Sequence, residues 1–451
     1  MLIRFAAGNH RSIKEPVEIS FVAVDNEREA VRHFERLPES VLTLAAIYGP
    51  NASGKSNILD AIMWLSSAVR ESLRFWEDAV PTDPFRFSGH RTQPSAYELD
   101  FMLDGVRHIY SLQVNQHEIL FEELVSYPEK RPRQLFIREG LEAHFRRGLS
   151  GGSIKELLTP TTLVLSLARR FDLAELHGPS RYISNISSPF MRRRLIRPSG
   201  RMSRGVVGPV VGQSTGRLFI DAHRSSRPGR DDELAQVYAR LAPEEDLAAA
   251  KRLLQYADLG IDDVKVIESE VENITEKTRL ELRLVHRSGD ETELFELSEE
   301  SDGTQMWFNL IGPLLAALRQ GYPVLLDEID ASLHPLLSAR LLDLFRDPSI
   351  NNKNAQLIFT THDTTLLGEL NRDEVWLTDK SEDGATLLTP LADFGSERVR
   401  KSLNLERAYL QGRFGAVPRL RENSLNRLLL EPKRTQAAAE EIGDGGAGDE
   451  N

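Results

Sequence analysis

Cysteine is absent from all 451 residues. No disulfide, no Cys-ligated zinc and no iron–sulfur cluster can therefore form. Long apolar runs are missing too: nothing approaches the ~20 residues a membrane-spanning helix needs. The opening stretch, MLIRFAAGNHRSIKEP, has neither the apolar core nor the cleavage site of a signal peptide. Together these absences predict a cytoplasmic protein with no membrane partner. Positive charge is in deficit, with 56 Lys and Arg against 68 Asp and Glu, a net −12. Proteins that coat nucleic acid non-specifically are basic overall, so any such contact here must come from a local patch. Neither an internal repeat nor a sustained heptad pattern is found, which argues against a solenoid or a long coiled coil.

What is present is an ordinary globular composition, 40% hydrophobic and 27% charged. The length suggests about two or three domains. LIRFAAGNHRS and PVEISFVAVD alternate like two edge strands around a turn. VLTLAAIYG is an apolar β run that ends at Gly49. In the stretch that follows, Ile58, Ile62, Leu65 and Val69 share one helical face. Tyr97 to about Ser126 alternates through Asp-Gly and Asn-Gln turn points, which predicts an antiparallel meander. After Lys130 the pattern predicts mostly helices broken by Pro and Gly, through to DELAQVYARLAPEEDLAAAKRLLQYADLGI. VKVIESEV and TRLELRLVHR return to strands, and YPVLLDEID and AQLIFTTHD contain short apolar ones. The expected organisation is 1–130 as the first part of a catalytic head, 131–260 as a mostly helical insertion, 261–430 as the second part of the head, and 431–451 as a disordered tail.

Three motifs carry chemistry. GPNASGKS, Gly49 to Ser56, fits G-x-x-x-x-G-K-[ST] between an apolar strand and an amphipathic helix. The expected nucleotide contacts are Gly49, Pro50, Asn51, Ala52, Ser53, Gly54, Lys55, Ser56 and Asn57. Backbone N–H groups would cradle phosphate oxygens, Lys55 would reach the β- and γ-phosphates of ATP, and Ser56 would ligate Mg²⁺. In VLLDEID, Asp327 leaves a buried strand at the end where open α/β sheets bind ligands, and is expected to hold Mg²⁺. Glu328 would polarise the attacking water. In LIFTTHD, His362 is placed to donate to the γ-phosphate.

A fourth stretch, LSEESDGTQMWFNLIGPLL, starts polar and becomes an apolar helix without pause. One reading is a plain helix N-cap. The other is an anion site: Ser301-x-Gly303-x-Gln305 lies just upstream of the LLDE strand, where ATP-binding-cassette proteins keep their signature sequence.

With these motifs the chain resembles the SMC/RecF/OLD branch of ABC-type ATPases, and more narrowly the stand-alone bacterial ATPases of abortive-infection and other anti-phage systems. The resemblance implies an α/β fold, a P-loop ATPase head of ABC type with an antiparallel β subdomain and a mostly helical insertion. It implies that the signature of one subunit caps the γ-phosphate held by another, so ATP would join two heads into a homodimer or higher oligomer. FAAGNHRSIKE is similar to the family's NFRS element with His10 in place of Phe, and Arg11 is expected near the nucleotide. ASLHP would line the dimer seam, with Ser332 and His334 as cross-subunit candidates. No clear glutamine loop appears; Gln93 is the candidate. The long SMC coiled coil is missing, and too few residues follow His362 for the Toprim nuclease that OLD-type proteins often carry.

The resulting expectation is an ATPase that dimerises on ATP and gates a separate effector, a nuclease or toxin, in anti-phage defence. The alternative is a RecF-like repair or replication ATPase that binds DNA. Arg192, Arg193, Arg194, Arg197, Arg201 and Arg204 form the candidate patch for nucleic acid, a protein-partner surface and a solvated face being the other readings of the cluster.

Overall fold

The computed structural model describes residues 1–149, 152–171, 173–189, 214–226, 236, 243–258, 260–270, 278–331, 333–394 and 405–414. The Arg192–Arg204 cluster, Ser332 and the tail 431–451 lie outside the described residues.

A mostly parallel sheet forms the centre. Its order is Val324–Leu326, Leu357–Thr360, Leu44–Tyr48, Val375–Lys380, Thr386–Pro390, and only the last pair is antiparallel. Every residue of the first three strands is buried. Side chains alternate across a strand, so burial of both faces demands an unbroken apolar run. Ala45, Ile47, Leu325 and Ile358 enter one core. Leu44, Ala46, Tyr48, Val324, Leu326, Leu357 and Phe359 enter the other.

Helix Lys55–Phe75 covers the first face through Ile58, Ile62, Leu65 and Val69, the stripe read from the sequence. The same core reaches a seven-stranded antiparallel sheet of order 142–145, 133–139, 119–127, 106–114, 95–103, 2–8, 17–20. Two expectations change here. Strand Leu2–Gly8 is an interior strand between Val17–Ser20 and Ser95–Leu103, not an edge. The meander also runs on to Phe145, so strands continue past Lys130 where helices were expected. Gln356 joins the two sheets. Its buried side chain takes the Leu2 N–H and donates to the Leu2 and Leu42 carbonyls.

Helices Val164–Phe171 and Ala174–Ser184 pack on Lys55–Phe75. The first of them starts at a buried carboxylate. Glu122 accepts from Val164 N–H at 2.8 Å and Leu165 N–H at 3.1 Å, and its charge faces Arg138 at 3.7 Å.

The second core lies under helices Asp302–Gln320 and Pro335–Arg346. Helices Thr215–Ser225 and Glu244–Ala257 pack against Asp302–Gln320, beside a three-stranded sheet of order 261–270, 278–288, 291–295. Pro313 interrupts the ladder of that long helix, and the neighbouring Gly312 N–H turns outward to Thr215 Oγ1 at 2.7 Å. The molecule is thus α/β, a mostly parallel central sheet with an antiparallel β subdomain and inserted helices.

Candidate functional site, a phosphate loop and an acidic strand end

Parallel register brings three strand ends to one edge: Leu326 pairs with Phe359, and Thr360 with Ile47. From this edge emerge the Gly49–Ser56 loop, Asp327-Glu328 and His362.

The loop needs its glycines for space. A Cβ on Gly49 (φ +151°) would lie 2.3 Å from Thr378 Oγ1, and one on Gly54 (φ +106°) would lie 1.9 Å from Thr386 Oγ1. Lys55 opens the helix and is buried, its ammonium donating to the Gly49 and Pro50 carbonyls at 3.0 and 3.2 Å. Burial lowers the Lys55 pKa, and the carboxylates of Glu328, Asp327 and Asp330 oppose the shift. The N–H groups of Gly54, Lys55 and Ser56 donate to nothing among the described residues. Free donors at the N-terminus of a 21-residue helix form a site for an anion. Asn51 and Ala52 are exposed at the loop tip. Asn57 turns away, its amide donating to Ser12 Oγ.

Asp327 Oδ1 accepts from Ser56 Oγ at 3.0 Å and from Thr360 Oγ1 at 2.6 Å. Thr360 Oγ1 in turn accepts the Glu328 N–H at 2.8 Å. Glu328 is exposed and sits at φ +52°, a conformation unusual for a side-chain-bearing residue. One threonine thereby orients both acids. The His362 N–H donates to Asp330 (3.2 Å to Oδ2), and the residue is exposed beside them. A hydroxyl and a carboxylate oxygen 3.0 Å apart form an oxygen-only pair that fits a hard divalent cation completed by phosphate oxygens and water.

Arg11 sits at φ +50° and pairs with Asp60 at 2.9 Å and Asp83 at 3.5 Å. Asp60 lies on the helix after the loop, so Arg11 is held beside that helix. His10 bridges Asp60 and the Tyr97 hydroxyl, each at 2.9 Å. Gln93 is exposed, and its backbone carbonyl accepts from Asn9 at 2.9 Å.

Ser301 is the N-cap of Asp302–Gln320, its hydroxyl accepting from Thr304 N–H at 3.2 Å. Ser301 is exposed and Gly303 half-buried; the Gln305 amide folds back to the Glu300 carbonyl at 2.8 Å. His334 caps the next helix, Nδ1 accepting from Leu336 N–H at 3.3 Å.

Sequence reasoning missed Thr360, Thr378, Thr386 and Ser12. Thr360 left a signal, a hydroxyl closing an apolar strand beside the acid pair. Thr378 and Thr386 left none, being ordinary residues of a β hairpin.

No curated protein matches the chain. Solved structures similar to it include the SMC head domain from Thermotoga maritima, at 16% identity over 86% of this chain and 98% of that one, with TM-score 0.37. Another is the Smc head domain with an extended coiled coil, bound to the C-terminal domain of ScpA, from Pyrococcus furiosus, at 14% identity over 87% and 96%, with TM-score 0.42. A family profile described as "AAA domain, putative AbiEii toxin, Type IV TA system" matches residues 44–145 and 214–368, more than half of the chain and both halves of the site above. The chain belongs to this AAA family, whose profile spans both its glycine-rich loop and its acidic strand end.

Proposed function

We propose that the chain binds ATP with Mg²⁺ and hydrolyses it to ADP and phosphate, and that ATP joins two heads. The observation that supports this most is the Ser56–Asp327 hydrogen bond, placed beside the unpaired N–H groups of the loop. Gly54, Lys55 and Ser56 N–H groups would receive phosphate oxygens. The Lys55 ammonium, now on two loop carbonyls, would exchange them for the β- and γ-phosphates. Ser56 and Asp327 would hold Mg²⁺, which when bound neutralises charge on those phosphates. Glu328, exposed and oriented through its own N–H, would accept a proton from the attacking water. The His362 imidazole would donate to the γ-phosphate.

The trans role of the signature is supported by its exposure. Ser301 is exposed at the head of a 19-residue helix, and the Asp302 and Gly303 N–H groups behind it, which donate to nothing among the described residues, would meet a partner's phosphate. The dimer of heads would then act on a separate effector, a nuclease or toxin, in defence against phage. The family's description, which names a toxin of a toxin–antitoxin system, is in keeping with such a role.

Light scattering on Glu328→Gln, with and without Mg-ATP, tests this reading. The variant should bind ATP, turn it over slowly, and double its mass only with ATP. Adding Ser301→Arg should abolish the doubling while nucleotide binding persists. A mass unchanged by bound ATP would sink the dimer, and failure to bind ATP would sink the site.

A further inference from the structure

The hairpin made by Val375–Lys380 and Thr386–Pro390 borders the sheet beside the phosphate loop. Two of its buried threonines touch the loop, and counting hydroxyl protons settles the direction of every bond between them. Thr378 gives its single hydroxyl hydrogen to the Tyr48 carbonyl at 3.1 Å. The Ser53 hydroxyl, 2.6 Å away, must therefore be the donor to Thr378. Thr386 gives its hydrogen to the Ser53 carbonyl at 2.9 Å. Ser12, 2.7 Å away, must then donate to Thr386, and it accepts from the Asn57 amide. The result is one directed chain, Asn57 to Ser12 to Thr386 to the Ser53 carbonyl, and a shorter one, Ser53 to Thr378 to the Tyr48 carbonyl.

The longer chain has a consequence for the loop. A trans peptide is planar, with its C=O and N–H pointing in opposite directions. The Ser53 carbonyl is fixed on Thr386 of the hairpin, so the Gly54 N–H must point away from the hairpin. That N–H has no acceptor among the described residues.

We propose that Thr386 is a positioning residue for the anion site, with Thr378 in support. Thr386 holds the Ser53–Gly54 peptide in the orientation that presents Gly54 N–H to a phosphate oxygen. Thr378 holds the Ser53 side chain and the last carbonyl before the loop. The proposal rests on reading the loop as the ATP site. The same contact explains Gly54: any side chain there would meet the Thr386 hydroxyl. Without that hydroxyl the Ser53 carbonyl is left buried and unpaired, and the peptide is free to rotate.

The test is ATP titration by calorimetry on the full chain as wild type, Thr386→Val and Thr386→Ser, with melting temperatures taken without nucleotide. Thr386→Val should weaken ATP binding about tenfold and raise KM more than it lowers kcat. Thr386→Ser keeps the oxygen and should bind within about twofold of wild type. Equal affinity in wild type and Thr386→Val overturns the inference while leaving the ATP site intact. So does equal loss in the Val and Ser variants, because the hydroxyl is then not the cause. A wild type that binds no ATP overturns the site reading itself. Should Thr386→Val fail to fold, the Thr378→Val and Thr378→Ser pair is read in the same way, Val weakening ATP and Ser restoring it.

Discussion

Ser56 Oγ and Asp327 Oδ1 lie 3.0 Å apart, although the two residues are 271 positions apart in the chain. Their bond closes the phosphate loop onto the acidic strand end, with an oxygen from each side ready for one cation. Asp327→Asn and Ser56→Ala should each slow ATP hydrolysis roughly 100-fold and raise the Mg²⁺ concentration needed for half the rate. Phosphate release followed across a Mg²⁺ titration is the measurement. Wild-type rates at every Mg²⁺ concentration would refute the assignment.

Thr360 reaches both acids, donating to Asp327 at 2.6 Å and accepting from Glu328 N–H at 2.8 Å. Thr360→Val removes both bonds and releases Glu328 from its left-handed conformation. We expect kcat to fall between about 10- and 100-fold with ATP affinity nearly unchanged, since positioning and not binding is lost. Thr360→Ser should restore the rate. A Ser variant as slow as the Val variant would contradict this.

Glu122 and Arg138 are both fully buried. Burial pushes the Glu122 carboxyl up and the Arg138 guanidinium down, each opposing the other's shift. Arg138 also donates to the Gly140, Thr159 and Thr162 carbonyls, while Glu122 caps Val164–Phe171. Arg138→Met strands a buried carboxylate and should cost about 3–5 kcal/mol. Urea midpoints compared with wild type measure it. A shift worth less than about 1 kcal/mol would show that water reaches the pair.

His108 stacks on Phe101 with ring centroids 5.4 Å apart, and burial holds its pKa below the usual histidine range. The folded state keeps the ring neutral while the unfolded chain protonates near pH ~6.5. Its contribution is therefore complete above the unfolded value and is lost as pH falls from there toward the folded one. His108→Phe, which keeps a ring on the stack, should lose less melting temperature than wild type between pH 7.5 and 5.5. Identical pH dependence in the two proteins would rule His108 out.

That the Gly49–Ser56 loop, the acid pair and His362 each follow a buried strand was legible because each motif is local. A glycine-rich turn between an apolar strand and an amphipathic helix states its own geometry, and so does a buried strand that ends in acids. The stripe Ile58, Ile62, Leu65, Val69 was legible for the same reason, period 3.6 against a single core. Strand Leu2–Gly8 read as an edge because its alternation cannot report how many neighbours it has. The strands after Lys130 escape the alternation because Arg133–Glu139 and Glu142–Phe145 are partly exposed at the far side of their sheet, and the second has only four residues.

The sequence alone determined which residues could hold a phosphate and a cation, since the donor types and their spacing are covalent facts. It also determined the buried parallel strands, because only a continuous apolar run satisfies two cores at once. Tertiary structure alone decided what supports them. Thr360, Thr378, Thr386 and Ser12 matter through hydrogen bonds of under about 3.2 Å between elements distant in the chain, such as Ser12 to Thr386 at 2.7 Å. No periodicity records such a contact. It exists only once the hairpin, the loop and the chain's opening turn have packed together and left each hydroxyl one acceptor within reach.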